Sequence, residues 1–155
     1  AGGVMRVIIT PDAFSPDAEL AAFSAQRNGE AGALASFVGY CRAHAGDHPV
    51  QRLELQHYPG FTDVEVRRLA EAVLARHTLL DLLVIHRVGA IAAGEPIVLV
   101  AALSSHRAAA FAAVSEMMDY LKTDAPMWKR EVGIAGARWI EPTAEDHARR
   151  QEHPR

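Results

Sequence analysis

Two apolar segments, 79–88 and 96–103, read as strands, and a turn at Ala93 and Gly94 is the main break between them. Strands joined so closely leave no room for a helical crossover, which favours antiparallel pairing. Val4–Thr10 ends at Pro11 and is also strand-like, as are 31–40, 50–58, 128–132 and 137–140. The stretch 42–49 carries Gly and Pro without periodicity and reads as a mobile loop, so that 31–40 and 50–58 are expected to pair as a hairpin.

Three segments carry helical signals. Ser15 followed by Pro16 marks an N-cap and first turn, opening a helix to about Gln26. Thr62 and Glu65 have capping-box spacing, and Val66, Leu69, Ala70, Val73 and Leu74 recur at helical period up to about His77. Ser104 or Ser105 can cap the longest helix, whose expected packing stripe is Ala108, Phe111, Val114 or Ser115, Met118 and Leu121, ending at Thr123 before Pro126. The expected architecture is α+β: one domain over 4–141 with a mixed, mainly antiparallel sheet and two to three helices. Residues 142–155 are charged and aperiodic and are expected to form a flexible, frayed tail.

The chain has 155 residues, of which 50% are hydrophobic, enough for one domain with a real core. Apolar runs such as 97–103 fall well short of the roughly 20 residues that span a bilayer, and the expected location is cytoplasmic. Cys41 is the only cysteine, which excludes an intrachain disulfide and thiolate zinc sites. A net charge of −3 argues against general nucleic-acid binding, so any anion site must be local.

Local cations are present. His106 and Arg107 fall in the first turn of the longest helix, where free backbone N–H groups and the helix dipole favour an anion and disfavour cations. Lys122 lies fifteen residues after Arg107, about 22 Å along a helix at 1.5 Å per residue. One small ligand does not span that distance, and the simplest arrangement joins His106 and Arg107 of one protomer to Lys122 and Lys129 of another. Lys129 and Arg130 follow Pro126, so the chain can turn back and bring a second ammonium near Lys122, lowering a lysine pKa towards the range useful for proton transfer.

Gly39 in FVGYCR can admit a close ligand or backbone, and Arg42 then faces the loop. Cys41 reads as a small buried hydrophobe in preference to a nucleophile. Gly46 and Pro49 argue against a helix that would align His44 and His48 on a metal, and His57 and His86 read as structural histidines. No metal or cofactor is expected. A non-catalytic anion-binding module, a structural dimer with a solvated basic rim and an RNA-binding domain are the competing readings.

The segments FVGYCR, LQHYPG, IHRVG, SSHR and MDYLKTDAPMWKRE, in that order, resemble the large catalytic subunit of molybdopterin synthase over residues 4–141. Gln56 stands where the family commonly has Glu, and Val38 where it often has Thr. The resemblance implies an α/β-hammerhead-like fold. It also implies a sulfurtransferase of molybdenum cofactor biosynthesis that converts cyclic pyranopterin monophosphate to the dithiolene molybdopterin. The implied sulfur donor is a small ubiquitin-like subunit with a C-terminal Gly-Gly thiocarboxylate, one docked at each end of a central homodimer. By match, Lys122 and Lys129 are implied as catalytic, and Arg42, His106, Arg107, Arg130 and Glu131 as substrate-binding. Phe37, Gly39, Tyr40, Cys41 and Met118 are implied along the pocket or channel. Residues 1–3, Ala-Gly-Gly, are read as a cloning remnant or the trace of a fused small subunit.

Overall fold

A computed structural model describes residues 3–154; Ala1 and Gly2 of the expected remnant, and Arg155 of the expected tail, lie outside the described residues. The first sheet is ordered β1 (Val4–Thr10), β6 (Asp81–Arg87), β8 (Pro96–Ser104), β2 (Ala33–Tyr40). β1 and β6 run parallel, while β8 is antiparallel to both β6 and β2. The second sheet is wholly antiparallel, in the order β10 (Gly136–Ile140), β9 (Met127–Gly133), β5 (Arg52–His57), β7 (Gly89–Ala92). The mixed, mainly antiparallel α+β architecture is therefore present, divided between two sheets.

The central strands are apolar on every residue from Leu82 to Ile85 and from Ile97 to Leu103, because both faces of the first sheet are covered. Leu82, Val84, Val98, Val100 and Ala102 meet α2 (Phe61–Arg76) and α3 (Arg107–Thr123), while Leu83, Ile85, Leu99, Ala101 and Leu103 meet Phe23 of α1 (Pro16–Ala25). Alternate residues thus serve opposite layers, as the strand period requires. Removing one fully buried branched side chain from these layers costs about 2–5 kcal/mol.

Three expectations change. The stretch 42–49 closes on itself as a ribbon, β3 (His44–Ala45) against β4 (His48–Pro49), with the Val50 N–H donating to the Ala43 carbonyl at 2.8 Å. That ribbon sends β5 into the second sheet, so β2 pairs with β8 and not with β5. The stripe of α3 is rotated from the expected one: Ala110, Ala113, Val114, Met117, Tyr120 and Leu121 are buried, while Phe111 is 66% exposed.

The third change is at the C-terminus, where a fourth helix, α4 (Ala144–Gln151), replaces the expected frayed tail. Its surface is too polar to give an apolar stripe, and local bonds and ion pairs hold it instead. Thr143 and Asp146 form a reciprocal capping box, and Glu145 pairs with Arg149 one turn on.

Caps also differ from the expected ones. Ser15 does cap α1, its hydroxyl accepting from the Ala18 N–H at 3.2 Å. Gly60, with φ of 86°, is the N-cap of α2. The Thr62 hydroxyl is thereby free to bond elsewhere, accepting from the Tyr58 N–H and donating to the Pro126 carbonyl, each at 2.9 Å. Ser104 bonds the N–H and carbonyl of His106, the N-cap of α3, which has no side-chain cap bond of its own.

Candidate functional site

The last turn of α3 and the start of β9 bring two lysines together. α3 stops at Asp124, whose N–H donates to the Tyr120 carbonyl, and Pro126 forces the chain out of the helix. The chain reverses and enters β9, where Lys129 sits opposite Leu55 and Ile140. Lys129 retains some exposed surface but is densely surrounded, and the exposed Lys122 lies close enough for the two charges to act on each other. Burial first, and then the Lys122 charge, push its pKa down to about 8, while Asp146 pulls the other way.

A cavity of about 170 Å³ opens over this pair. Of the residues expected at the site, Tyr40, Arg42, Lys122, Lys129 and Glu131 line it. His44 of the β3–β4 ribbon also faces it, and Val50, Leu53, Ile97 and Ile140 supply apolar wall. Glu131 reaches Arg138 at 3.5 Å, whereas Arg42 and both lysines form no ion pair within the described chain. Three unneutralised cations beside one carboxylate make a receptor for an anionic ligand with a titratable amine at its centre.

Several expected residues lie elsewhere. Arg130 is on the opposite face of β9 from Lys129 and Glu131; it pairs with Glu54 and lies 5.6 Å from the centre of the Trp139 ring. His106 and Arg107 are exposed at the far end of α3. Phe37 is 43% exposed and Met118 packs against the main core, and neither lines the cavity. Side chains pack closely on Gly39: a Cβ there would lie 2.9 Å from Val98 Cγ1 and 3.3 Å from the Phe37 ring. Cys41 is buried and does not line the cavity; burial pushes its thiol up, Glu131 and Glu95 add to this, and a bond from Leu53 opposes it. It is therefore held as a thiol and is a poor nucleophile.

Two histidines set aside in the sequence belong to the surroundings of the site. His44 reaches the cavity because the ribbon folds back, which its unpatterned stretch did not signal. His86 is buried, with Nδ1 against the Arg87 carbonyl at 2.9 Å. Its pKa is pushed down to about 4 by burial, with the charges of Lys129 and Lys122 adding to the effect. The IHRVG segment thus places a neutral imidazole behind the lysine pair. Among the described residues no cluster of three or more His, Cys, Asp or Glu is placed to hold a metal ion, and no helix is long and apolar enough to cross a membrane.

A family profile described as "MoaE protein" matches residues 9–124. The chain belongs to the MoaE family. This MoaE-family chain is 48% identical over 142 residues to a Caulobacter vibrioides protein named molybdopterin synthase catalytic subunit, covering 92% of the chain and 93% of that relative. It also superposes with a TM-score of 0.76 on a solved structure described as a molybdopterin biosynthesis MoaE protein from Burkholderia ambifaria MC40-6, at 38% identity and 100% coverage of both chains. A more distant structure, a complex of subunits 1 and 2 of molybdopterin-converting factor from Helicobacter pylori 26695, shares the fold with a TM-score of 0.71. That likeness has 19% identity and covers 88% of this MoaE-family chain and 89% of the other.

Proposed function

We propose that this chain is the sulfur-transferring subunit that converts cyclic pyranopterin monophosphate to molybdopterin, using the C-terminal Gly-Gly thiocarboxylate of a small ubiquitin-like subunit. Family membership supports the coarser statement, that it is a molybdopterin synthase catalytic subunit acting in molybdenum cofactor biosynthesis. The Lys122–Lys129 pair, set in a cationic pocket with Glu131, carries the finer one.

Each sulfur addition has the same balance. The donor's thiocarboxylate sulfur bonds to a side-chain carbon of the substrate as a C–O bond at that carbon breaks, the oxygen leaving on the opened phosphate at one carbon and as water at the other; a further water then cleaves the acyl–sulfur bond. The carrier leaves as a carboxylate and the sulfur stays on the substrate. Protons must move at each stage, and an amine with a pKa of about 8 can both donate and accept near neutral pH. Arg42 and Lys122 supply charge for the phosphate.

The pocket of about 170 Å³ is below the roughly 300 Å³ at which ligand sites begin. A second protomer that brings its His106 and Arg107 to this opening would complete it, which accounts for two cation groups at opposite ends of one helix.

The test is a reconstituted conversion with the substrate and a thiocarboxylated small subunit, reading molybdopterin as its fluorescent oxidation product. Product from wild type and none from Lys122→Ala is the expected result. No product from wild type with a competent donor would leave an anion-binding module as the better reading.

A further inference from the structure

A second cavity, of about 490 Å³, lies between α2, α3 and α4, and no residue lines both it and the lysine pocket. It exists because α4 packs on α3 and makes little contact with α2. Three bonds hold α4 and the residues after it in that position. Arg150 Nε bonds Asp124 Oδ1 at 2.6 Å, His153 Nε2 meets Asp119 Oδ2 at 2.6 Å, and the Tyr120 hydroxyl donates to the Pro154 carbonyl at 3.0 Å. The volume falls within the roughly 300–1,000 Å³ of small-molecule sites.

The groups facing this space are mostly basic. Arg68 and Arg76 of α2, His147 and Arg150 of α4, and His153 line it against one carboxylate, Asp124. The other carboxylates that pair with these groups, Glu65, Glu116 and Asp119, do not line it. Each guanidinium is tied on one side only. Arg68 uses Nε and Nη2 on Glu65, Arg76 uses Nη1 on Glu116 and the Tyr120 hydroxyl, and Arg150 uses Nε and Nη1 on Asp124 and the His153 carbonyl. Among the described residues, Arg68 Nη1, Arg76 Nη2 and Arg150 Nη2 carry no hydrogen bond. A guanidinium already fixed in place loses little freedom when a ligand binds, and its remaining donors suit phosphate oxygens.

The spacing says how large the ligand is. Arg68 and Arg76 are eight residues apart, about 12 Å along α2 and on one face of it. Arg150 joins them: its guanidinium lies 4.8 Å from the centre of the Tyr120 ring, whose hydroxyl accepts from Arg76 at 3.2 Å. Leu69 and Ala72 add apolar wall on the same face of α2. We propose that this cavity is a second anion site, separate from the lysine pocket, which takes a small phosphorylated compound carrying more than one negative charge. The proposal does not depend on the sulfur-transfer reading, and its test does not use turnover.

Inorganic pyrophosphate is the probe, titrated into the full-length chain at neutral pH while the histidine ring signals are followed by NMR. His147 and His153 report on this cavity and His44 on the lysine pocket. Saturable shifts at His147 and His153 are expected in wild type, and are expected to persist in Lys122→Ala. Arg68→Gln is expected to weaken that binding at least about tenfold. The Arg68 side chain is 61% exposed and its one ion pair is with Glu65, so the fold tolerates the change. Arg67→Gln removes the same charge from the preceding residue, which is exposed and outside the cavity, and is expected to leave the affinity in place. Equal weakening in the two variants would mean general attraction by a basic helix and would overturn the site. Shifts confined to His44, shifts at His147 and His153 that vanish in Lys122→Ala, or no saturable shift at those two rings would overturn it as well.

Discussion

Lys129 lies close enough to Lys122 for the two charges to act on each other, and within the described chain neither forms an ion pair with a carboxylate. Two ammonium groups held this way repel each other, so the fold gives up stability to keep them adjacent. The surroundings that oppose ionisation also make Lys129 a usable proton carrier.

Lys129→Met removes the partly buried cation while keeping similar bulk. Activity is expected to fall at least about 100-fold, and the urea midpoint at pH 7 to rise. The folded value of about 8 lies below the ordinary 10.5, so the native state releases this proton first. Wild type therefore gains stability as pH rises from 8 to 10.5, and the advantage of the Met variant closes over that window. Denaturation curves whose separation does not change with pH would count against a depressed Lys129.

His86 gives a second pH window. Its folded value of about 4 is below the ordinary 6.5, so the unfolded chain takes up the proton first and wild type loses stability as pH falls from 6.5 to 4. His86→Gln is expected to show a flatter profile over that range. Equal slopes in the two proteins would show that His86 is not held neutral.

Glu116 is 2% exposed and serves both Arg76 and His77, the latter at 2.9 Å. Removing it in Glu116→Ala leaves the half-buried His77 and the more exposed Arg76 without their acceptor and is expected to cost about 1–3 kcal/mol in chemical denaturation. A loss under about 1 kcal/mol would mean that water or another acceptor replaces it.

Shared pockets have a stoichiometric signature. Arg107→Glu and Lys122→Ala are each expected to be inactive, and a dimer holding one of each would contain one pocket with both residues intact. Random exchange of the two variants should then restore about a quarter of wild-type activity. Mixing that restores none would place Arg107 outside the pocket.

The longer strands and the first three helices were legible because their signals are local: β-branched runs, Ser15 before Pro16, and Pro126 after a long periodic segment; the short β3, β4 and β7 carry no such signal. Which strands pair was less so, since β2 and β5 part company through a two-by-two ribbon with no pattern of its own. α4 escaped notice because its stability comes from caps and ion pairs and not from an apolar stripe. At the site, the lysines and Arg42 could be read from their positions around Pro126 and at the end of a strand. The face of β9 was the missing information: alternation sends Lys129 and Glu131 inward and Arg130 outward. His44 needed the ribbon before it could be placed.

The hydroxyl of Thr62 spans two chain reversals that are far apart in sequence, one before α2 and one before β9. The strand that carries Lys129 is thereby anchored to a residue outside the pocket lining. Among single substitutions only Ser keeps a hydroxyl of similar reach at this position. Loss of the hydroxyl would present as impaired turnover in a protein whose pocket residues are all intact, so a sequence survey confined to the pocket would misjudge which variants of this chain remain competent.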